Sequence, residues 1–268
     1  MLSLYVASKM LMMRQLAKFL LTNTVGIWAR GARFSFPEKY TWRWKFAMLA
    51  GFYEKGTTRL LKKIIRPGMT VVDIGAHIGY FTRLAAKRAG PRGHVYAFEP
   101  DPDNRLLLEK NVHSYSFVSV GPEAITSKVG TVSFYHVHGS TGCHSTIPQP
   151  NTSEFTVPAT TLDAFVEARL ITHIDVIKMD IEGGEWAALE GMRNVLKQKP
   201  LSIITEWKPD VLMQGGHNPE MLLSMLEHEG FSLSVITDAG LFPLEPGVFA
   251  PAREYLDNTG SVNVYARK

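Results

Sequence analysis

Three short stretches hold the side chains best able to do chemistry. In VVDIGAHIGYFT, residues 71–82, a β-branched run ends near Asp73 and passes through Gly75 and Gly79 into a helical pattern. A tight strand-to-helix turn takes glycine where a Cβ would strike a ligand or force an unfavourable backbone angle. The spacing is Asp-x-Gly-x-x-x-Gly, which departs from the Gly-x-Gly-x-x-Gly of dinucleotide-binding folds and weakens a nicotinamide or flavin reading. A carboxylate just before the turn would repel a pyrophosphate, but it can accept a hydrogen bond from an ammonium-bearing ligand, directly or through water. Twenty residues beyond Gly79, VYAFEP sets Glu99 at the carboxyl edge of the next strand. An acceptor-only side chain there suits the paired donors of vicinal ribose hydroxyls. Either acid alone would read as a helix cap or a solvated charge; the joint spacing fits an adenosyl ligand carrying an amino-acid tail.

The third stretch, IDVIKMDIEGGEWAALEGM over residues 174–192, is an apolar strand delivering Asp180 and Glu182 to a turn before a helix. Carboxylates after a buried strand are costly unless they bind something, which makes them a second wall of a site. The competing reading is that Glu182 and Glu185 complement the positive end of the helix. SIITEW then puts Glu206 at the same edge of an adjacent strand. Together these acids can take a proton from a weak nucleophile or supply oxygen ligands to magnesium. His136, His138, Cys143 and His144 invite a zinc reading, but Cys143 and His144 are adjacent and GSTG intervenes, so no metal site is assigned to them. His144, and after it His77, are instead candidates for an acceptor contact or base.

These residues need strand ends to carry them. From residue 67 onward, short β-branched runs alternate with helical patterns, the form of βαβ units around a largely parallel sheet. Strands are expected at 70–74, 94–98, 117–120, 175–179, 201–206, 231–237 and 262–266. Helices are expected at 79–89, 101–112 with Asp101 as cap, 162–169, 185–197 and 219–229. Runs 123–126 and 131–137 suggest a hairpin-like excursion, 138–153 a loop, and the segment before the last strand a lid or irregular loop. A ligand site belongs beyond the carboxyl ends of such strands.

The 268 residues suffice for a large core, and 45 % hydrophobic with 20 % charged residues is ordinary for a folded globular chain. One cysteine precludes an intramolecular disulfide. Eight of the 29 basic residues fall within residues 1–45, opposed only by Glu38, so that segment carries +7 and the remainder −3. Such a distribution points to a local anionic partner, a membrane or a phosphorylated substrate, and away from a nucleic-acid footprint. MLSLYVASKMLMMRQLAKFLL is broken by Lys9, Arg14 and Lys18, so it reads as an amphipathic helix and not as a membrane span or signal peptide. The organisation expected is a basic helical extension over 1–52 and one α/β domain over 53–268.

VVDIGAHIGYFT, VYAFEP, EAITSKVGTVSF, TTLDAF and VIKMDIEGGEWAALEGM, in this order from residue 53 to about 207, resemble the FkbM family of S-adenosylmethionine-dependent methyltransferases. The resemblance implies a class I methyltransferase, Rossmann-like doubly wound fold, with a mostly parallel seven-stranded sheet whose last strand is antiparallel. It implies O-methylation of a sugar, glycan or natural-product hydroxyl. Carried over by position, it implies that Tyr53, Glu54, Asp73, Gly75, Ala76, His77, Gly79, Tyr80, Glu99, Pro100, Ala124 and Asp180 contact the cofactor. His77 departs from the asparagine common there. The acceptor chemistry falls to Asp180, Glu182 and His144, with magnesium as an optional addition. A cytoplasmic enzyme with peripheral membrane contact and a glycan acceptor, lipid-linked or anionic, completes the expectation; a catalytically silent scaffold of the same fold is the alternative.

Overall fold

The computed structural model describes residues 2–138, 142, 144–148 and 151–268, without the side chains of 2–9, 11 and 12. Cys143 lies outside the described residues, as do residues 139–141 of the GSTG stretch and the side chains of Ser3, Leu4, Val6, Ser8, Lys9 and Leu11 in the N-terminal helix. The chain divides into two compact units, Met1–Glu54 and Lys55–Lys268.

In the first unit, α1 (Leu2–Gly31) and α2 (Trp42–Ala50) are joined by residues 32–41. α1 runs ten residues past the stretch whose pattern announced it, and it buries Val25 and Ala29. α2 stops at Gly51, whose left-handed φ of 76° lets its N–H bond back to Ala47 and Met48. No helix among the described residues is long and apolar enough to cross a membrane.

The second unit opens with α3 (Lys55–Ile64), β1 (Thr70–Ile74), α4 (Tyr80–Ala89), β2 (His94–Phe98), α5 (Pro102–Val112) and β3 (Val118–Gly121). Next come β4 (Ala124–Ile125), β5 (Gly130–Val137), β6 (Thr152–Thr160), α6 (Leu162–Ala168), β7 (Val176–Met179) and α7 (Glu185–Glu190). It closes with β8 (Ser202–Trp207), α8 (Pro209–Gln214), α9 (Pro219–His228), β9 (Ser232–Ile236), β10 (Leu241–Pro243) and β11 (Val262–Arg267). The main sheet has the order β10-β9-β11-β8-β7-β1-β2-β3. Pairings from β3 through β2, β1 and β7 to β8 are parallel, while β11 runs antiparallel to both β8 and β9. This is the class I methyltransferase arrangement, with β10 added as an eighth strand in the segment expected to be irregular. Apolar side chains such as Val72, Ile177, Met179, Ile203 and Trp207 are fully buried, as strands covered on both faces require.

Three local expectations change. Runs 123–126 and 131–137 do not pair with each other, because β6 lies between them: Ala124 pairs with Ala159 in parallel and Val132 with Val157 antiparallel. Pro158 disguised β6, yet it is tolerated because β4 reaches only Ala159 and Thr160, leaving the strand an edge elsewhere. The helix expected over 185–197 stops at Glu190, and only Val195–Lys197 recovers a 3₁₀ turn. Gly191 passes so close to Thr126 that a Cβ would sit 2.0 Å from its carbonyl oxygen. Finally, α8 was not legible in the pattern.

The strand order reverses between β1 and β7, and there Gly75 leaves β1 with φ 77°. A Cβ on Gly75 would lie 1.9 Å from the Asp180 carbonyl oxygen. Gly75→Ala is expected to cost about 3 kcal/mol or more in urea denaturation. Gly68→Ala, with φ 90° but no atom within 4 Å of its Cβ, should cost only about 1 kcal/mol.

Candidate active site

The turn after β1 is tied to the end of β2, because Gly75 and Ala76 both donate their N–H groups to the Phe98 carbonyl at 3.0 Å. His77 follows with φ 51° and donates its N–H to Glu99 Oε2 at 2.7 Å. Asp101 donates its own N–H to Glu99 Oε1 at 3.0 Å. One backbone donor on each oxygen fixes the buried carboxylate and leaves lone pairs for a ligand. Burial pushes Glu99 up to about 7, and burial pushes His77 down to about 4.

These groups line an open cleft at the carboxyl ends of β1, β2 and β7, with about 570 Å³ of empty space including its solvent-facing part. Gly75, His77, Glu99, Pro100, Asp180, Glu182 and His144 line it. Phe98, Ala124, Ile125 and Phe134 supply an apolar wall from β2 and the small sheet. Such a mixture of apolar surface and few fixed polar groups is the usual make-up of a small-ligand site.

Other residues expected at the cofactor have contacts within the protein. Asp73 is buried, accepts Thr82 Oγ1 at 2.6 Å on Oδ2, and has Oδ1 enclosed without a hydrogen-bond partner. Burial raises its pKa. Ala76 packs with Ala97, Leu108 and Val112. Gly79 makes room for α5, since a Cβ there would meet Leu108 Cδ1 at 2.6 Å. The hydroxyl of Tyr80 lies 3.2 Å from Thr58 Oγ1 on α3. Tyr53 and Glu54 end the first unit, Tyr53 with its ring 5.8 Å from Trp44 and Glu54 with φ 37°. The glycines of the turn thus admit close contacts between protein segments, and Gly75 also lines the cleft.

Asp180, Glu182 and Glu206 each place an oxygen within 4.8 Å of the others. The neighbouring lysines escaped the sequence reading. Lys178 is buried, with Nζ 3.1 Å from Asp180 Oδ2 and 5.0 Å from the centre of the Phe81 ring. Lys208 Nζ lies 2.7 Å from Glu182 Oε2. The signal for Lys178 was present in KMD, because residues two apart on a strand share a face. Burial, and then Asp180, push Glu182 above the usual carboxylate range. Glu185 turns inward, accepting the N–H groups of Ile181 and Gly183 at 2.9 Å each. It braces the turn ahead of the helix, and burial pushes it up to about 7.

His144 accepts the Val137 N–H at 3.0 Å on Nδ1, which assigns the proton of its neutral ring to Nε2. Nε2 is enclosed 3.9 Å from Asp101 Oδ2, without a hydrogen-bond partner. The ring therefore presents no open nitrogen to the cleft. It stacks on His136 at 4.1 Å, and His136 Nδ1 bonds Asp101 Oδ2 at 2.9 Å. Asp101, His136 and His144 each place a ligand atom within 4.8 Å of the others. Ser145 donates its hydroxyl to the Glu182 carbonyl at 2.7 Å, which joins this segment to the acidic turn.

Comparison with known proteins fixes the family. A model described as the methyltransferase FkbM domain matches residues 73–233, more than half of the chain and the residues that line the cleft. The chain belongs to the FkbM methyltransferase family. It is 27 % identical over 163 residues to the hexuronic acid methyltransferase AglP of Haloferax volcanii, covering 60 % of this chain and 64 % of that protein. It is 37 % identical over 82 residues to the ribosomal RNA large subunit methyltransferase E of Alkalilimnicola ehrlichii, covering 28 % of this chain and 39 % of that one. The crystal structure of an FkbM methyltransferase from Methylobacillus flagellatus aligns with TM-score 0.48 and 15 % identity over 93 % of this chain and 59 % of that chain. The chain spans less than two thirds of the length of each of these relatives.

Glu206 gives this FkbM site a pH signature. Its Oε2 is enclosed with no hydrogen-bond partner, and burial, followed by Asp180, pushes its pKa well above 4.5. An acid raised in the folded state stabilises the fold below its unfolded value, and that stability is lost as pH rises through the folded value. Glu206→Gln has no such proton to lose. Urea denaturation should find the variant close to the parent near pH 4.5 and more stable than it as the pH climbs to about 8.

Proposed function

We propose that the chain transfers a methyl group from S-adenosylmethionine to a hydroxyl of a sugar, glycan or natural-product acceptor, leaving S-adenosylhomocysteine. The observation that carries this reading is that Glu99, Asp180 and Glu182 line one cleft. Glu99 would accept both ribose hydroxyls with the lone pairs its backbone donors leave. Ala124, Ile125 and Phe134 would cover the adenine, and the Gly75–His77 turn would follow the methionine part. The bound cofactor supplies an activated methyl group, so the chain's work is alignment, exclusion of water and removal of one proton.

Asp180 is the group we assign to that proton. Lys178 holds its Oδ2 at 3.1 Å, leaving Oδ1 for the acceptor hydroxyl, and Glu182 and Glu206 extend the acceptor's polar surroundings. Of the sequence candidates, His144 is the less suited, because Val137 and the pocket beside Asp101 take up its nitrogens. A hexuronic acid offers both hydroxyl and carboxylate oxygens. The acids around this cleft would repel a carboxylate acceptor, which favours a hydroxyl. Magnesium would have to compete with Lys178 and Lys208 for the carboxylate oxygens. A nucleic-acid acceptor is disfavoured by the net −3 of residues 46–268. The acceptor we envisage is instead lipid-linked or anionic outside its reacting sugar, met in the cytoplasm beside a membrane.

Turnover is tested by following S-adenosylhomocysteine release with neutral and uronic-acid glycans, with and without magnesium. Asp180→Asn should lower kcat by about 100-fold and leave S-adenosylhomocysteine affinity within about threefold. An unchanged rate in this variant would remove Asp180 from its role. Cofactor binding without turnover on any acceptor would favour the silent scaffold.

A further inference from the structure

We infer that the first unit is a membrane-interface anchor, with α1 lying in the plane of an anionic bilayer and its large apolar side chains inserted. The stripe by which α1 is buried is small, Val25 and Ala29. Four large apolar residues face the other way: Met13, Leu16, Leu20 and Ile27 are 61, 57, 56 and 63 % exposed. At 100° per residue these four fall within an arc of about 60°, opposite Val25 and Ala29. Phe19 and Trp28, 64 and 43 % exposed, flank that arc. Scattered exposed apolar residues are ordinary, but a stripe aligned over four turns marks a surface that is covered in use. The apolar surface continues beyond α1, since the Trp28 ring lies 5.9 Å from Phe46 and the Phe46 ring 6.3 Å from Phe52.

Charge selects the occupant. Residues 1–45 carry +7, with Glu38 the only acid. Two such units placed face to face would repel each other, whereas anionic headgroups neutralise the charge. At the same spacing Arg14 and Lys18 fall on the side of Val25 and Ala29, so they add to the attraction between the +7 segment and an anionic surface without touching its headgroups. Tryptophans such as Trp28 and Trp44 are suited to that same depth. No described helix is long and apolar enough to cross the bilayer, so the unit lies on the membrane.

The inference deepens the functional reading, because it supplies the surface at which a lipid-linked acceptor would be met. It uses none of the residues of the cleft, so it can fail separately. The test is co-sedimentation of the full chain with vesicles of phosphatidylcholine alone or with about one third phosphatidylglycerol, at low and raised salt. Circular dichroism and S-adenosylhomocysteine binding are measured on the same samples. Binding should require the anionic lipid and weaken with salt. It should fall at least about tenfold in Leu16→Glu/Leu20→Glu and by less in Arg14→Gln/Lys18→Gln, with cofactor binding unchanged. No binding to anionic vesicles, or equal binding by folded parent and Leu16→Glu/Leu20→Glu, would overturn the inference. So would a concentration-dependent dimer abolished by Leu16→Glu without vesicle binding, which would give the face to a second copy.

Discussion

The contact on which the rest depends is the approach of the β1 and β7 ends. Asp180 donates its N–H to the Ile74 carbonyl at 3.0 Å, and the bare Cα of Gly75 admits the Asp180 carbonyl. Any side chain at Gly75 would push the two strand ends apart. Their junction is also where the sheet order reverses, so two connections leave in opposite directions and open a crevice. One connection carries His77 toward Glu99, and the other carries Asp180, Glu182 and the bracing Glu185. A single backbone approach thereby puts Glu99 and the acidic cluster in one cleft.

Holding that cluster together is an electrostatic problem. Several carboxylates in a buried setting repel one another and lose hydration, and each needs a compensating partner. Lys178 meets Asp180, Lys208 meets Glu182, and backbone N–H groups meet both oxygens of Glu185. Glu206 has Oε2 enclosed without such a partner and responds by favouring its protonated form. The site therefore sets Asp180, held by Lys178, among three acids whose proton affinity burial raises.

The alternation of strands and helices was readable because doubly wound sheets impose apolar runs and glycine stops that are local in sequence. Asp101 was readable as a cap for the same reason, and it accepts the Asp103 and Asn104 N–H groups as a cap should. β6 was hidden, since Pro158 contradicts a central strand unless one knows how short β4 is. The truncation of α7 was hidden too, because the cause is Thr126, more than 60 residues away in sequence from Gly191. At the site, Glu99 and Asp180 stand on the cleft, as strand-end acids should. Asp73 and Gly79 carry the same local signature but face inward, and only the packing of α4 and α5 distinguishes them. The exposed stripe of α1 inverts the usual rule: its large apolar residues follow the helical period, yet Val25 and Ala29 are what the helix buries among its described side chains.

The most direct test of the cleft as an adenosyl site is calorimetric titration with S-adenosylhomocysteine and with its 2′,3′-dideoxyribose analogue, using the parent chain and Glu99→Ala. The parent should prefer the natural ribose by at least about tenfold, and the preference should vanish in the variant because the acceptor for both hydroxyls is gone. Equal affinity of the folded parent for the two ligands, or the same preference retained by Glu99→Ala, would contradict the account.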